Sequence, residues 1–181
     1  MSNNRIPLLA VAAVSAAALL AGCASAPVQA PLADSFDPVA AVAAIRTAGH
    51  DGNAQELVVT PLGANQVADL RAQASRQLEA GEVGAAAATL DQALELTPRD
   101  PSLLQQRAEL ALLLRDLEGA RGLARAAIEA GTGVGPHCRR HWETLHQVAL
   151  VYAARDPQWE PVAARARDSR DACTVGPVPR Y

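Results

Sequence analysis

Cysteine, histidine and closely spaced glycine are the residue types in this chain that bring chemistry with them. Cys138 and Cys173 stand 35 residues apart. Two thiols at that separation either oxidise to a disulfide or remain free and buried, depending on where the chain carries them. His137, Cys138, His141 and His146 have the donor types of a metal site, because residues three and four apart on a helix share a face. A second ligand cluster is missing from the sequence, and Cys138 has a competing partner in Cys173, so no metal is expected. Gly131, Gly133 and Gly135 are spaced like a phosphate-binding loop, but they follow a helical pattern and not a strand. They read instead as a helix stop and a turn. No nucleophile motif or paired-carboxylate constellation stands out. The expectation is a non-enzyme with no catalytic residue and no cofactor.

The elements that must position these residues are organised by a repeat. Read against itself at an offset of 34 residues, the stretch from Val67 to Gly131 places Leu70 on Leu104, Ala74 on Ala108, Ala86 on Ala120, Leu90 on Ala124, Ala93 on Ala127, Leu94 on Ile128 and Glu95 on Glu129. A fixed period of this length marks a stacked array. Apolar positions recur at helical spacing within each copy, and each copy breaks near its middle, at Gly81 and around Arg115-Asp116. Each is therefore a pair of antiparallel helices. The alanines at matched positions let the helix backbones approach while leucines fill the grooves. Asn65 is expected to cap the first pair and Pro98 to end it, and Asp100-Pro101 starts the second.

This pattern resembles the tetratricopeptide repeat. Its small residue at position eight, alanines at twenty and twenty-seven and proline at thirty-two are met by Ala74, Ala86, Ala93 and Pro98, then by Ala108, Ala120 and Ala127. The tryptophan, glycine and tyrosine of the family's first helix are replaced here by Leu70, Ala74 and Gln77, and Thr132 stands where the second proline would be. The resemblance implies an all-α stack that binds proteins. It also implies a concave wall, lined by the first helices, that would show Arg71, Ser75 and Leu78 from one repeat and Ser102, Gln105, Glu109 and Leu112 from the next. That mixture suits hydrogen bonding to an extended peptide, or equally a solvated helix face.

Beyond Gly131 the period fails, because the residue 34 positions after Ala108 is Trp142, too large for a close crossing. Trp142, Leu145, Ala149 and Tyr152 still recur at helical spacing. Asp156-Pro157 then opens a helix through Trp159, Val162, Ala163 and Ala166 to about Ala172. Residues 136 to 172 read as a divergent third hairpin closing the stack. Cys138 falls at the start of one of its helices and Cys173 at the end of the other. Antiparallel packing makes those two ends neighbours.

Towards the N-terminus, Arg5 precedes an apolar stretch from Ile6 to Ala21, too short to span a bilayer comfortably, and Leu20-Ala21-Gly22-Cys23 follows. Leu-Ala-Gly-Cys resembles the bacterial lipobox. The resemblance implies cleavage before Cys23, lipidation of its thiol and acylation of the new amino group; an ordinary cleaved signal or an uncleaved anchor is the alternative. Each buried methylene contributes about 0.8 kcal/mol, so several acyl chains would hold the protein on the membrane. Ala24 is not the aspartate that retains many such lipoproteins at the inner membrane, which implies an outer-membrane address facing the periplasm. With Cys23 lipidated in an oxidising compartment, Cys138 and Cys173 are left to pair as a disulfide.

The layout is then a signal peptide over residues 1–22, lipidated Cys23 and a tether to residue 36, a short helix and extended arm over 37–64, the repeat domain over 65–172, and a tail over 173–181. Pro27 and Pro31 favour an extended tether, at about 3.1 Å per residue. Asp37-Pro38 starts the short helix, with Val39, Val42 and Ile45 on one face and Gly49 as its stop. So short a helix must dock on the repeats to persist. The arm, around Leu57-Val58-Val59, is expected to lie along the stack. A net charge of −3 argues against a nucleic-acid surface. Half the residues are apolar and only 3% aromatic, so the core should be made of small side chains. Taken together, the sequence predicts an outer-membrane lipoprotein whose repeat array binds a protein or peptide in the periplasm, as a scaffold or assembly factor. The rivals are a pilotin-like chaperone for a secretin or pilus component, and a structural protein that associates with itself as a homo-oligomer.

Overall fold

Aspartates followed by proline begin two of the helices, and their carboxylates hold the first-turn amides. In the computed structural model, which describes residues 35–50 and 65–174, Asp37 accepts from the amides of Val39 and Ala40 at 2.9 and 3.1 Å. Asp100 accepts from Ser102 and Leu103 at 2.8 and 3.1 Å. Each such cap contributes about 1 kcal/mol, and proline at the first position gives up no hydrogen bond. Among the described residues the elements are α1 (Pro38–Ala48), α2 (Asn65–Glu79), α3 (Val83–Leu96), α4 (Pro101–Leu113), α5 (Leu117–Ala130), α6 (Gly135–Ala153) and α7 (Glu160–Ala172), with a 3-10 turn (Pro157–Trp159) leading into α7. The leader over residues 1–22, Cys23 and the tether as far as residue 34, the arm over residues 51–64, and the tail from 175 lie outside the described residues. Phe36, expected at the end of the tether, is instead buried in a core with Val42 and Ile45.

The 34-residue period is present at the level of single backbone bonds. In the first hairpin Gly81 has φ +79°, its amide donates to Leu78 O, and Glu82 N donates to Gln77 O. In the second Arg115 has φ +61°, its amide donates to Leu112 O, and Asp116 N donates to Ala111 O. Both turns are Schellman closures, related residue for residue by the repeat offset. Glycine occupies the left-handed position in the first copy without strain. Arginine tolerates it in the second because its guanidinium donates to the Phe36 carbonyl at 3.1 Å and lies 5.7 Å from the Phe36 ring centre.

The alanines that carried the repeat, Ala74, Ala86, Ala93, Ala108, Ala120 and Ala127, are all buried. They let α2 pack on α3, α3 on α4 and α4 on α5 in succession. One core lies among α2, α3 and α4, built around Val67, Leu90, Leu103 and Leu110. A second gathers Phe36, Val42 and Ile45 around Leu112, Leu117, Val148 and Val151. This second core exists because α1 packs against both α4 and α6. The short helix thus fills much of the inner wall that the first helices of the repeats would otherwise leave open.

The third hairpin closes the stack. Cys138 and Cys173 form a disulfide, with Cα atoms 5.8 Å apart, and Gly135 N donates to Cys173 O at 2.8 Å beside it. Further along the pair, Arg170 reaches the buried Glu143 carboxylate at 2.6 Å, and the ring of His146 bonds the Ala163 carbonyl at 2.9 Å. Among the described residues α7 packs only on α6 and on the turn that precedes it.

Candidate docking groove

The inner wall is built by one face of each of α2, α4 and α6, and α1 divides it into a sealed part and an open part. In the sealed part, Leu112 is fully buried under Val42 and Ile45. Gln105, at 1% exposure, lies at the centre of a polar layer. Its side-chain amide donates to Glu109 at 3.1 Å and to the Thr144 hydroxyl at 2.9 Å. Its carbonyl oxygen can only accept, so His141, 2.9 Å away, carries its proton on Nδ1. Glu109 accepts in addition from Arg46 of α1 at 3.0 Å and from Arg140 of α6. Three helices are thereby joined through one buried carboxylate and one buried amide.

This layer makes His141 sensitive to acid. Burial, with smaller contributions from the charges of His137 and Arg140, lowers its pKa from 6.5 to about 3. Its Nε2 is buried without a hydrogen-bond partner, so a second proton there would place an uncompensated charge in the core. The unfolded chain takes up that proton near pH 6.5 and the folded chain does not, so stability falls as pH drops below 6.5, by about 1.4 kcal/mol per unit from this group. His137, lowered mainly by burial and then by Arg140, acts in the same direction. Denaturant melts at pH 7 and pH 5 should show the wild type losing about 2 kcal/mol more than a His141→Gln variant over that interval. Parallel losses in the two proteins would show that His141 titrates normally.

The open part is a cavity of about 290 Å³ between α2 and the end of α1, lined among others by Arg46, Arg71, Ser75, Leu78, Glu109 and Arg140. Three guanidiniums face one carboxylate. Two of those guanidiniums already hold Glu109, and the third, on Arg71, donates to Ser102 Oγ at 2.9 Å. Of the residues the sequence placed on the groove, Arg71, Ser75, Leu78 and Glu109 line this cavity. Ser102, Gln105 and Leu112 do not line it and are buried, and Glu109, though at its edge, is also buried with its carboxylate taken up by Arg46 and Arg140. The reason is α1, together with α6, which covers the part of α4 that an unoccupied repeat groove would show. Arg46 and Arg140 were missed. Arg140 had a signal, since it lies 34 residues after Gln106, which lines the same cavity, so the period could have been extended to it. Arg46 had none, because nothing in the sequence tells which wall α1 covers.

Of the residues with metal-donor types, His137 stacks beside His141 with ring centres 6.3 Å apart, and the others have separate partners. Cys138 is in the disulfide, His141 faces Gln105 and His146 faces Ala163.

With the architecture and the groove defined, one likeness among solved structures is informative. The stack is similar to the globular C-terminal domain of P. aeruginosa LpoP. The two are 25% identical with a TM-score of 0.53, and the match covers 60% of this chain and 98% of that one. Nearly the whole LpoP domain thus has a counterpart here. No protein-family description and no curated protein matches the chain.

Proposed function

We propose that this chain is a non-catalytic lipoprotein of the bacterial envelope, acylated on Cys23 and held at the outer membrane facing the periplasm, whose helical stack docks a protein partner at the open end of its inner wall. The observation that carries the docking reading is the cavity beside Arg71, where guanidiniums outnumber carboxylates and Ser75 and Leu78 stand alongside. Such a site takes a peptide segment by hydrogen bonding and charge at one end and apolar contact at the other. The lipid anchor rests on Leu20-Ala21-Gly22-Cys23 at the end of an apolar leader. The likeness to LpoP supports the layout, since the part matched there is that protein's globular C-terminal domain, and the helical stack here lies C-terminal to the apolar stretch and the prolines that precede it. The role is that of an accessory or scaffold, with no reaction performed by the chain itself.

Two measurements test this reading. Cys23→Ser should abolish incorporation of a palmitate analogue and leave unprocessed precursor, and labelling that persists in the variant would exclude Cys23 as the acylated residue. For the groove, a photocrosslinker at Leu78 should capture a partner in intact cells, and Arg71→Glu should reduce that yield several-fold. The folded state should change by about 1 kcal/mol or less, because one partly exposed hydrogen bond is lost. A crosslinked yield that is unchanged by Arg71→Glu would remove the groove from the reading.

A further inference from the structure

The departure that breaks the repeat at Trp142 has a structural result on the opposite side of the stack from the groove. Ala74 and Ala108 let the first two hairpins close tightly, whereas the equivalent position on α6 carries an indole. Among the described residues the backbones of α5 and α7 do not approach one another closely. Between them, over α6, lies a recess of about 450 Å³, within the range of about 300 to 1,000 Å³ typical of ligand sites. Trp142 and Leu145 form its apolar floor, and Trp159 and Val162 its far side. Trp159 is held by its packing on Tyr152, with ring centres 4.6 Å apart, and Tyr152 is itself tied to Glu118 of α5 by a 2.5 Å hydrogen bond. Val162 is 46% exposed at the rim.

The rim is cationic. Arg121 and Arg125 on α5 and Arg165 on α7 face a single carboxylate, Glu129. Arg121 is engaged with Glu118 at 2.7 Å, whereas Arg125 and Arg165 form no ion pair with any described side chain. A chain of net charge −3 therefore concentrates positive charge beside its two tryptophans. Arg121 and Arg125 follow one another by a turn of α5, so the positive edge runs along the helix axis.

We infer that this recess is a second docking surface, separate from the groove, which takes an acidic segment of a partner protein with a large apolar side chain inserted between Trp142 and Trp159. The apolar floor provides affinity through burial, and the guanidiniums of Arg125 and Arg165 select carboxylates flanking the inserted residue. A bilayer does not fit, because the indoles line a recess and do not project from a convex face, and a flat surface cannot reach them. A basic segment would be repelled by both walls.

Both tryptophans of the chain line this recess, so tryptophan fluorescence excited at wavelengths that leave the tyrosines dark reports on it alone. The purified chain is titrated with the synthetic peptide acetyl-DELFED-amide, with acetyl-KKLFKK-amide and acetyl-DEAAED-amide as controls. The expected result is a saturable blue shift with the first and at least tenfold weaker binding of the other two. Arg125→Glu/Arg165→Glu should weaken the acidic peptide at least tenfold and strengthen the basic one, a reversal that a merely structural role would not produce. Arg71→Glu should leave all three titrations unchanged, which separates this surface from the groove. Absence of a saturable shift, or equal binding of the acidic and basic peptides, overturns the proposal. So does a shift that grows with the concentration of the chain alone, which would assign the recess to a second copy, or one produced by anionic phospholipid vesicles and not by peptide.

Discussion

The Cys138→Ser/Cys173→Ser double variant is expected to melt on the order of 10 °C below the wild type. The disulfide closes a loop of 35 residues, for which the chain-entropy relation gives about 3 to 4 kcal/mol, and a shift of several degrees per kcal/mol is usual for a domain of this size. The effect should be local before it is global. Among the described residues α7 packs on α6 and the preceding 3-10 turn alone. Besides the buried Ala163 and Ala166, its end of the hairpin is tied by the Gly135–Cys173 backbone bond, the Arg170–Glu143 ion pair at 2.6 Å and the His146 bond to Ala163. Hydrogen exchange in the variant should therefore rise first in α7 and at the start of α6, while α2 to α4 keep their protection. The bond itself is checked by a thiol count under denaturing, non-reducing conditions. Two reactive thiols at Cys138 and Cys173 in the wild-type protein would refute the assignment, and uniform loss of protection would show that the third hairpin is not an independent end of the stack.

What was legible in the sequence is what each helix owes to its immediate neighbours. A hairpin stack is held by contacts between consecutive elements, so the same positions must be small in every copy, and Ala74, Ala86 and Ala93 reappear as Ala108, Ala120 and Ala127. The turn is legible for the same reason. Gly81 announces a left-handed residue, and the offset of 34 transfers it to Arg115, where composition alone gives no hint. The cysteines could be paired in advance because an antiparallel hairpin brings its two open ends together.

The inner wall was legible only in part, because its occupant comes from outside the repeat. Carrying the family's groove onto α4 assumes that the wall is open, and α1 has no periodic counterpart that would say where it packs. A physical signal was nevertheless present. Leu110, Ala111 and Leu112 are consecutive, and with Leu103 and Leu104 they make α4 apolar on more than one face. A helix of that kind must be covered on both sides. Leu112 is covered by α1, while Leu110 belongs to the core shared with α2 and α3. The polar layer beneath α1 was out of reach of any local pattern, since Gln105 and Glu109 find their partners on α1 and α6, from Arg46 to Thr144.

That layer gives the second large effect. Gln105→Ala should destabilise the chain by about 2 to 4 kcal/mol, because it leaves the buried His141 Nδ1 proton without its acceptor, at about 1 to 3 kcal/mol, and removes the amide's bonds to Thr144 and Glu109, which keep their bonds to the Arg140 carbonyl and to Arg46 and Arg140. An exposed groove residue would behave oppositely, changing stability by less than about 0.5 kcal/mol while reducing partner capture. Denaturant melts distinguish the two. A double-mutant cycle with His141→Phe refines the result: if the two side chains satisfy one another across 2.9 Å, the double variant should lose at least about 1 kcal/mol less than the sum of the single losses. Additive losses would mean that Gln105 acts through Glu109 and Thr144 alone. A Gln105→Ala protein as stable as the wild type would mean that α1 does not seal this wall, and the groove would then extend along the whole of α4, as the repeat pattern first implied.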